Sequence, residues 1–200
     1  MTCWVVIPAK AAPAAKGRLA EALGPDERAA LAAAMLSAAI AAVRAAPGVD
    51  GVLLVGDAAG HSETERLTDP GGGLNAALDA ARTVLLARGA TRVISLAADL
   101  PLVTGDDVAA LVQLPNGTAG IAPDRHGTGT NALSLPLPQA AGFAYAYGIG
   151  SCARHKAETA RLGLNLREIV LPGLARDVDE PADLVDAGHL MSQFAPPRLS

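Results

Sequence analysis

The chain has 200 residues, of which 50% are hydrophobic and 18% are charged, and its formal net charge is −4. This length suits a single domain with one core, and the composition excludes an intrinsically disordered chain. The acidic balance excludes the basic footprint of a DNA-binding domain and argues against attachment to an anionic membrane surface. The two cysteines exclude a disulfide framework, and the 2% of aromatic residues disfavours a stacking surface for single-stranded nucleic acid.

The N-terminal half carries no obvious targeting or membrane-spanning pattern. Its longest charge-free apolar stretch, residues 29–43, is rich in alanine and shorter than the roughly 20 residues that a spanning helix needs. The chain begins with a short apolar run and no basic segment ahead of it, so we expect no secretory signal. These features predict a cytoplasmic protein.

Short, β-branched apolar runs alternate along the chain with longer segments rich in alanine and leucine. The short runs predict strands at residues 4–7, 52–55, 93–97, 120–122, 132–135 and 168–171. The longer segments predict helices at residues 25–46, 73–88, 106–112, 151–161 and 181–190. Because the strands are apolar along their whole length, we expect a single-domain, Rossmann-like α/β fold with a mostly parallel sheet and helices on both faces.

Three segments fall outside this alternation. The polar stretch 57–70 leaves open whether it holds a further strand, and residues 193–200 are expected to form a frayed tail. Phe143, Tyr145 and Tyr147 hold most of the aromatic side chains. They predict a packed hairpin or a dimer contact rather than a surface that stacks on a base.

Ligands in an open α/β sheet bind beyond the carboxyl ends of the strands, so the residues that follow each strand are candidates for a site. Pro8, Ala9 and Lys10 follow the first predicted strand, and Lys16 and Arg18 add two cations to a segment that contains no acid. Such a segment either binds a polyphosphate or is an ordinary solvated loop.

A run of glycines opens the second predicted helix, at Gly71, Gly72 and Gly73, followed by Leu74 and Asn75. Glycines at a helix start let backbone N–H groups approach a ligand closely, and the helix N-terminus favours anions. The alternative is a flexible entry turn. The chain has no Walker-type phosphate loop, and the four histidines do not indicate a Ser-His-Asp arrangement.

Carboxylates follow two of the predicted strands. Asp99 lies two residues beyond the third strand, where it is either a Mg²⁺ ligand or a turn residue. Asp177 and Asp179 alternate in an extended segment, so both can face one metal ion. If the segment bends into the last helix instead, Asp179 serves as its cap.

Two loops of small residues rich in hydrogen-bond donors lie at 127–131 and 148–151. The second enters a helix, which makes it either an anion site for a phosphorylated acceptor or a plain turn. Arg154 or His155, in the same helix, is a candidate to lie near that anion, whereas Cys152 and His155 alone are too few to indicate a metal site.

Six motifs in this order, spanning residue 4 to about residue 185, resemble the CofC/FbiD guanylyltransferases of coenzyme F420 biosynthesis. The motifs are Val5–Lys10 with Lys16–Leu19, Gly73–Leu78, Ala98–Leu102, Ala122–Leu133, Tyr147–Ser151 and Asp177–Leu184. The fourth motif is the most specific single stretch, and six ordered motifs do not arise by accident.

The resemblance implies a nucleotidyltransferase domain over residues 1–192 that joins GTP to a phosphorylated three-carbon acid and releases pyrophosphate. Phosphoenolpyruvate is the expected acid, with 2-phospho-L-lactate and 3-phosphoglycerate as alternatives. The resemblance also implies Mg²⁺ as cofactor and delivery of the product to the F420 transferase, and it leaves a homodimer open. More distant alternatives are a nucleotidyltransferase for another cofactor or sugar phosphate, and a GTP-binding module without catalysis.

The resemblance also assigns roles to residues of this chain. The cations that face the triphosphate as catalytic residues are Lys10, Lys16 and Arg18. The nucleotide-binding residues are Pro8, Ala9, Gly73, Leu74 and Asn75. The residues that bind the phosphorylated acid are Thr130, Gly148 and Ser151. The metal is held by Asp99 together with one or both of Asp177 and Asp179.

Overall fold

The computed structural model of the chain describes residues 2–9, 17–56, 61 and 64–188, and these contain one sheet of seven strands. The strands are β1 (Cys3–Pro8), β2 (Gly51–Val55), β3 (Glu65–Leu67), β4 (Arg92–Leu96), β5 (Thr118–Pro123), β6 (Thr130–Pro136) and β7 (Asn165–Glu168). Their order across the sheet is β3-β2-β1-β4-β6-β5-β7. Strand β6 is antiparallel to its neighbours β4 and β5, and all other neighbouring strands are parallel. The prediction of a mostly parallel α/β sheet is therefore confirmed.

Helices connect the strands on both faces of the sheet. They are α1 (Pro25–Ala45), α2 (Leu74–Ala87), α3 (Gly105–Val112), α4 (Ser151–Arg161) and the short α5 (Pro172–Ala175), with 3-10 turns at Gly17–Glu21 and Pro181–Val185. Helix α1 begins where Pro25 fixes the first turn and the Gly24 N–H donates to Glu27 Oε2 at 2.8 Å. It ends at Ala45, just before Pro47 and Gly48.

The core lies on both faces of the sheet because the side chains of each strand alternate between them. On one face, Val5 and Ile7 pack with residues of α1 and α3. On the other face, Val6 packs with residues of α2 and with Phe143. Both faces are covered, which explains why the central strands are apolar along their whole length.

By length and composition alone, helix α1 is long and apolar enough to cross a membrane. In the structure, Leu36, Ile40 and Val43 of this helix are buried against β1 and α3. Such packing is that of a core helix in a folded domain.

Three sequence expectations need correction. The last strand lies at 165–168 instead of 168–171, because an edge strand that pairs only with β5 needs no apolar run, and Ile169 and Leu171 pack on the core just beyond it. The closing helix is a 3-10 turn over Pro181–Val185, and positions 189 and 190 lie outside the described residues.

The third correction concerns the aromatic segment. Residues 143–147 form no hairpin, and Phe143 and Tyr145 are buried in the core of this chain, so they offer no exposed dimer contact. The open question about residues 57–70 is answered by the short strand β3, which pairs with β2. The expected tail at 193–200 lies outside the described residues.

Candidate active site

The carboxyl edge of the sheet gathers most of the residues singled out by the sequence. Strands β1, β4, β5 and β7 end at this edge, and β6 begins there because it runs in the opposite direction. Thr130, the first residue of β6, therefore lies at the same edge as Asp99, which follows β4. This reversal brings a predicted acid-binding residue and a predicted metal ligand to one side of the molecule.

Asp99 and Asp177 lie close together at this edge. The Val178 N–H donates to the Asp99 carbonyl at 3.1 Å, and Asn131 Nδ2 donates to Asp177 Oδ1 at 3.3 Å and to the Leu174 carbonyl at 3.0 Å. Burial raises the pKa of Asp177, and the negative charge of Asp99 raises it further. Two carboxylates that share one partly buried space favour a bound cation.

Asp179 is oriented by its neighbours. Its side-chain Oδ2 lies 3.8 Å from an Arg18 guanidinium nitrogen, and its backbone N–H donates to Asp183 Oδ2 at 2.9 Å. Asp183 is 2% exposed and its Oδ1 lies 2.5 Å from a nitrogen of the partly exposed Arg125, so this ion pair restrains the segment that carries Asp177 and Asp179.

The three aspartates do not form a compact metal cage by themselves. Within the part of the chain that the structure describes, no group of three or more His, Cys, Asp or Glu side chains is arranged to hold a metal ion. The donor set nevertheless suits Mg²⁺, which proteins commonly hold through one or two carboxylates while substrate phosphates and waters complete the shell. Asp99 and Asp177 supply such a pair.

Of the three predicted triphosphate-binding cations, Arg18 is described and its side chain is 73% exposed beside Asp179. Lys10 and Lys16 lie outside the described residues. Pro8 ends β1, and the Ala9 N–H donates to the Val55 carbonyl at 2.9 Å. A Cβ added to Gly56 would lie 2.3 Å from the Ala9 carbonyl oxygen, so the chain that leaves β2 approaches the chain that leaves β1 closely.

The glycine run before α2 has the backbone that only glycine adopts readily. Gly71, Gly72 and Gly73 have φ values of 81°, 83° and 86°, and Gly73 is the N-cap of α2. Leu74, in the first turn, packs on the core. The run leaves the backbone at the start of α2 accessible to an anionic ligand.

Asn75 joins two of the sequence motifs. Its Oδ1 accepts from the Tyr147 N–H at 2.8 Å, and its Nδ2 lies 3.4 Å from the Tyr147 carbonyl oxygen. The Tyr147 hydroxyl lies 2.7 Å from Ser95 Oγ, and burial raises its pKa to about 12, so it stays protonated. The Asn75 amide thus holds the residue that precedes Gly148.

The loop between β5 and β6 is organised by Asp124. Its Oδ1 accepts from the backbone N–H of His126 at 3.2 Å and from that of Thr128 at 2.8 Å. The Thr128 carbonyl in turn accepts from the Cys152 N–H at 3.1 Å. This loop is therefore tied to the first turn of α4.

The predicted acid-binding residues Thr130 and Ser151 are in contact. Ser151 Oγ donates to Thr130 Oγ1 at 3.2 Å, and His155 Nδ1 lies 3.0 Å from the same oxygen. Gly148 and the N-cap residue Gly150 have positive φ values of 117° and 69°, and the Ser151 N–H donates to the Gly148 carbonyl at 3.0 Å. The structure brings all three predicted acid-binding residues to the N-terminus of α4.

Sequence reasoning missed two features of this site. The Arg125–Asp183 ion pair joins segments that are far apart in the chain, and no local pattern predicts it. His155 was only one of two candidates near an anion, although its spacing of four residues from Ser151 places both side chains on one face of α4. This spacing was the sequence signal that could have favoured His155 over Arg154.

Two cavities lie at the opposite, amino edge of the sheet. One of about 330 Å³ is lined by residues that include Trp4 and Asp50, and another of about 290 Å³ is lined by residues that include Arg92 and Gln139. Neither contains a predicted site residue. Arg92 instead donates to the carbonyls of Leu114, Pro115 and Thr118 and to Ser134 Oγ, which is a structural role.

The fold of this chain is one that solved nucleotidyl- and sugar-transferring enzymes also have. The fold is shared with a nucleotidyl transferase from Methanothermobacter, at a TM-score of 0.68 and 17% identity over 96% of this chain and 99% of that chain. It is also shared with the glucosyl-3-phosphoglycerate synthase of Mycobacterium tuberculosis, solved with Mn²⁺ and uridine diphosphate, at a TM-score of 0.60 and 14% identity over 96% of this chain and 76% of that chain.

The sequence identifies the family within this class. A family model described as "Guanylyl transferase CofC like" matches residues 3–190. A protein of Sphaerobacter thermophilus named phosphoenolpyruvate guanylyltransferase is 43% identical over 197 residues, which cover 94% of each chain. The chain belongs to the CofC-like guanylyl transferase family, and the resemblance stated from its motifs is confirmed.

Proposed function

We propose that this chain condenses GTP with phosphoenolpyruvate to give enolpyruvoyl-2-diphospho-5'-guanosine and pyrophosphate, for coenzyme F420 biosynthesis. The observation that carries the proposal is that the Asp99–Asp177 carboxylates and the Thr130–Ser151 pair lie at one edge of the sheet, connected by the hydrogen bond from Asn131, the neighbour of Thr130, to Asp177. Its support from relatives is the 43% identity to a phosphoenolpyruvate guanylyltransferase over nearly the whole chain.

In this proposal a phosphate oxygen of the acid attacks the α-phosphorus of GTP, the bond to the bridging β-phosphate oxygen breaks, and pyrophosphate leaves. The nucleophile is already ionised, so the protein contributes positioning and electrostatic stabilisation more than proton transfer. Thr130, Gly148 and Ser151 form the acid-binding site, and the glycine entry of α2 with Leu74 and Asn75 faces the nucleoside. Pro8 and Ala9, at the carboxyl end of β1, also contact the nucleotide.

The charged residues of the proposal act on the triphosphate. Lys10, Lys16 and Arg18 face its oxygens. Asp99, with Asp177 or Asp179 or both, would hold Mg²⁺, which would neutralise negative charge on the phosphates. Support for a divalent metal comes from the carboxylate pair and from a protein of the same fold solved with Mn²⁺.

The cellular location of the protein and the fate of its product are part of the same proposal. We place the protein in the cytoplasm, which is supported by the packing of α1 in the core. The product, in which the acid and the guanosine are joined through a diphosphate, passes to the F420 transferase enzyme.

The experiment is to measure pyrophosphate release from GTP and Mg²⁺ with phosphoenolpyruvate, 2-phospho-L-lactate and 3-phosphoglycerate supplied separately. We expect release with phosphoenolpyruvate and GTP, little with ATP, and none when a chelator removes the metal. Release with another acid alone would replace the acceptor. GTP binding without release from any acid would contradict the proposed reaction and favour a binding module.

A further inference from the structure

His155 lies inside the protein at the back of the proposed acid-binding site. It is fully buried, and its ring lies edge-on to Tyr147 at a centroid distance of 4.7 Å and tilted to Phe143 at 5.8 Å. It follows Ser151 by one turn of α4, so the helix directs both side chains toward Thr130. The imidazole does not face solvent, and its effect on a ligand must pass through its neighbours.

The hydrogen bonds of His155 define which ring nitrogen carries the proton. The Ala146 N–H donates to Nε2 at 2.9 Å, and a backbone amide can only donate. Nε2 is therefore unprotonated, and the proton of the neutral ring is on Nδ1. Burial lowers the pKa of His155 to about 4, so the ring keeps this neutral form at physiological pH.

The tautomer determines what the Thr130 hydroxyl can do. With the proton on Nδ1, His155 donates to Thr130 Oγ1 at 3.0 Å, and Ser151 Oγ donates to the same oxygen at 3.2 Å. A hydroxyl oxygen has two lone pairs, and these two donors occupy both. The hydrogen of Thr130 is then left for an acceptor outside the trio.

We infer that His155 is a positioning residue that makes Thr130 an obligate hydrogen-bond donor to the anionic acceptor substrate. The inference rests on the proposed function, since it assigns Thr130 to the acid. Phosphate and carboxylate oxygens have only lone pairs to offer, so a hydroxyl fixed as a donor matches them, whereas one whose hydrogen is used inside the protein does not. Through Ala146, His155 also fixes the chain two residues before Gly148.

Two variants separate the contacts of the ring. In His155→Asn, the amide nitrogen can take the place of Nδ1 and still donate to Thr130. In His155→Gln, the longer amide reaches toward the Nε2 position and can accept from Ala146 while the donor to Thr130 is lost. We expect His155→Gln to raise the KM for phosphoenolpyruvate roughly 10- to 100-fold, the worth of one oriented bond to a charged group.

The matched expectations are that His155→Asn raises this KM by much less and that neither variant changes the KM for GTP. Thr130→Val removes the hydroxyl on which His155 acts. In that background His155→Gln should add little to the KM for the acid, because coupled residues are not additive. A purely structural role for His155 predicts additive effects and similar changes for both substrates, and that result would overturn the inference.

The tautomer can be measured without turnover. The ¹⁵N chemical shifts of His155 in the wild-type protein should show a neutral ring with the proton on Nδ1, and a proton on Nε2 would overturn the inference. Failure of the proposed function has a different signature, namely a wild-type protein that releases no pyrophosphate with any of the three acids. The two failures are therefore distinguishable.

Discussion

Burial raises the pKa of Asp177 and the negative charge of the nearby Asp99 raises it further, so the charged form of Asp177 is costly. Such a cost is offset when a cation binds between the carboxylates or beside them. Asn131 restrains Asp177 through a 3.3 Å hydrogen bond, so the pair is held in place before any ligand arrives.

We expect Asp99→Asn to lower pyrophosphate release roughly 100-fold or more, because a lost electrostatic contact to the reacting phosphates costs about that much. GTP binding, measured by calorimetry, should change far less. The control is Asp50→Asn at the amino edge, where the remaining amide oxygen can still accept from the Cys3 N–H. Unchanged turnover in Asp99→Asn would contradict the assignment of Asp99 to the metal.

At the level of single residues, the sequence predicts members of local motifs but not the contacts between distant motifs. Thr130 and Ser151 were assigned to the acid because they lie in motifs that resemble those of a known family. The contact between Asn75 and Tyr147 spans 72 positions, and nothing in either motif states that one holds the other. Long-range pairs of this kind depend on how elements pack, which periodicity does not encode.

The entry of α2 is an element whose shape depends on glycine. Gly73 combines φ 86° with ψ −172°, a region that other residues rarely occupy, and an added Cβ would meet nothing within 4 Å. Any effect of a methyl group there therefore comes from the backbone and not from a clash.

We expect Gly73→Ala to lower the free energy of unfolding by about 1–3 kcal/mol through this strain and to raise the KM for GTP. Gly163→Ala is a matched control, since Gly163 has φ 65°, has equally open space and lies beyond the far end of α4. It should lose stability and leave the KM for GTP unchanged. Urea unfolding and initial-rate kinetics measure the two quantities, and an unchanged KM in both variants would remove the glycine run from the nucleotide site.

At the level of elements, the sequence predicts those that have a strong local signal. The central strands are short apolar runs, and helices α1 to α4 have glycine or proline close to both ends, so the structure has these elements within a few residues of their predicted bounds. The predicted position of strand β7 is three residues too far along the chain. An edge strand is defined by its pairing with β5, and the polar sequence Asn-Leu-Arg-Glu gives no signal of its own. The three-residue β3 was undecidable for the same reason.

The free energy of unfolding of the whole molecule depends on pH through His155. Its pKa is lowered to about 4, chiefly by burial, with Arg154 lowering it further and Glu158 opposing. In the unfolded chain the same ring has its ordinary pKa near 6.5. Between these values the unfolded state binds more protons than the folded state, so the free energy of unfolding decreases as the pH falls.

We expect the wild-type protein to lose about 2 kcal/mol of unfolding free energy between pH 7 and pH 5 from this group alone. Urea unfolding at the two pH values measures it, and His155→Asn, which cannot titrate, should lose correspondingly less. An equal loss in both proteins would show that another group dominates. Glu158 acts in a lower window, since its bond to Arg161 lowers its pKa to about 2.

For the molecule as a whole, composition and alternation were sufficient to predict the α/β class, and the six motifs were sufficient to predict the family. The reversed direction of β6 was not readable, since a strand's own sequence does not state which way it runs in the sheet. The burial of Arg92, the first residue of β4, could not be predicted from the sequence either. Its guanidinium donates to four acceptors that come from distant parts of the chain.

The polarity of the sheet also makes the molecule two-ended. The turns at the amino edge, including those at Gly48, Gly117 and Gly163, carry none of the residues proposed for the chemistry. A linker attached at such a turn would hold the protein to a surface or to a neighbouring enzyme with its reactive edge facing outward. Because the strands run in these directions, the protein can be attached through its amino edge while the carboxyl edge, with the proposed site, stays open to substrates.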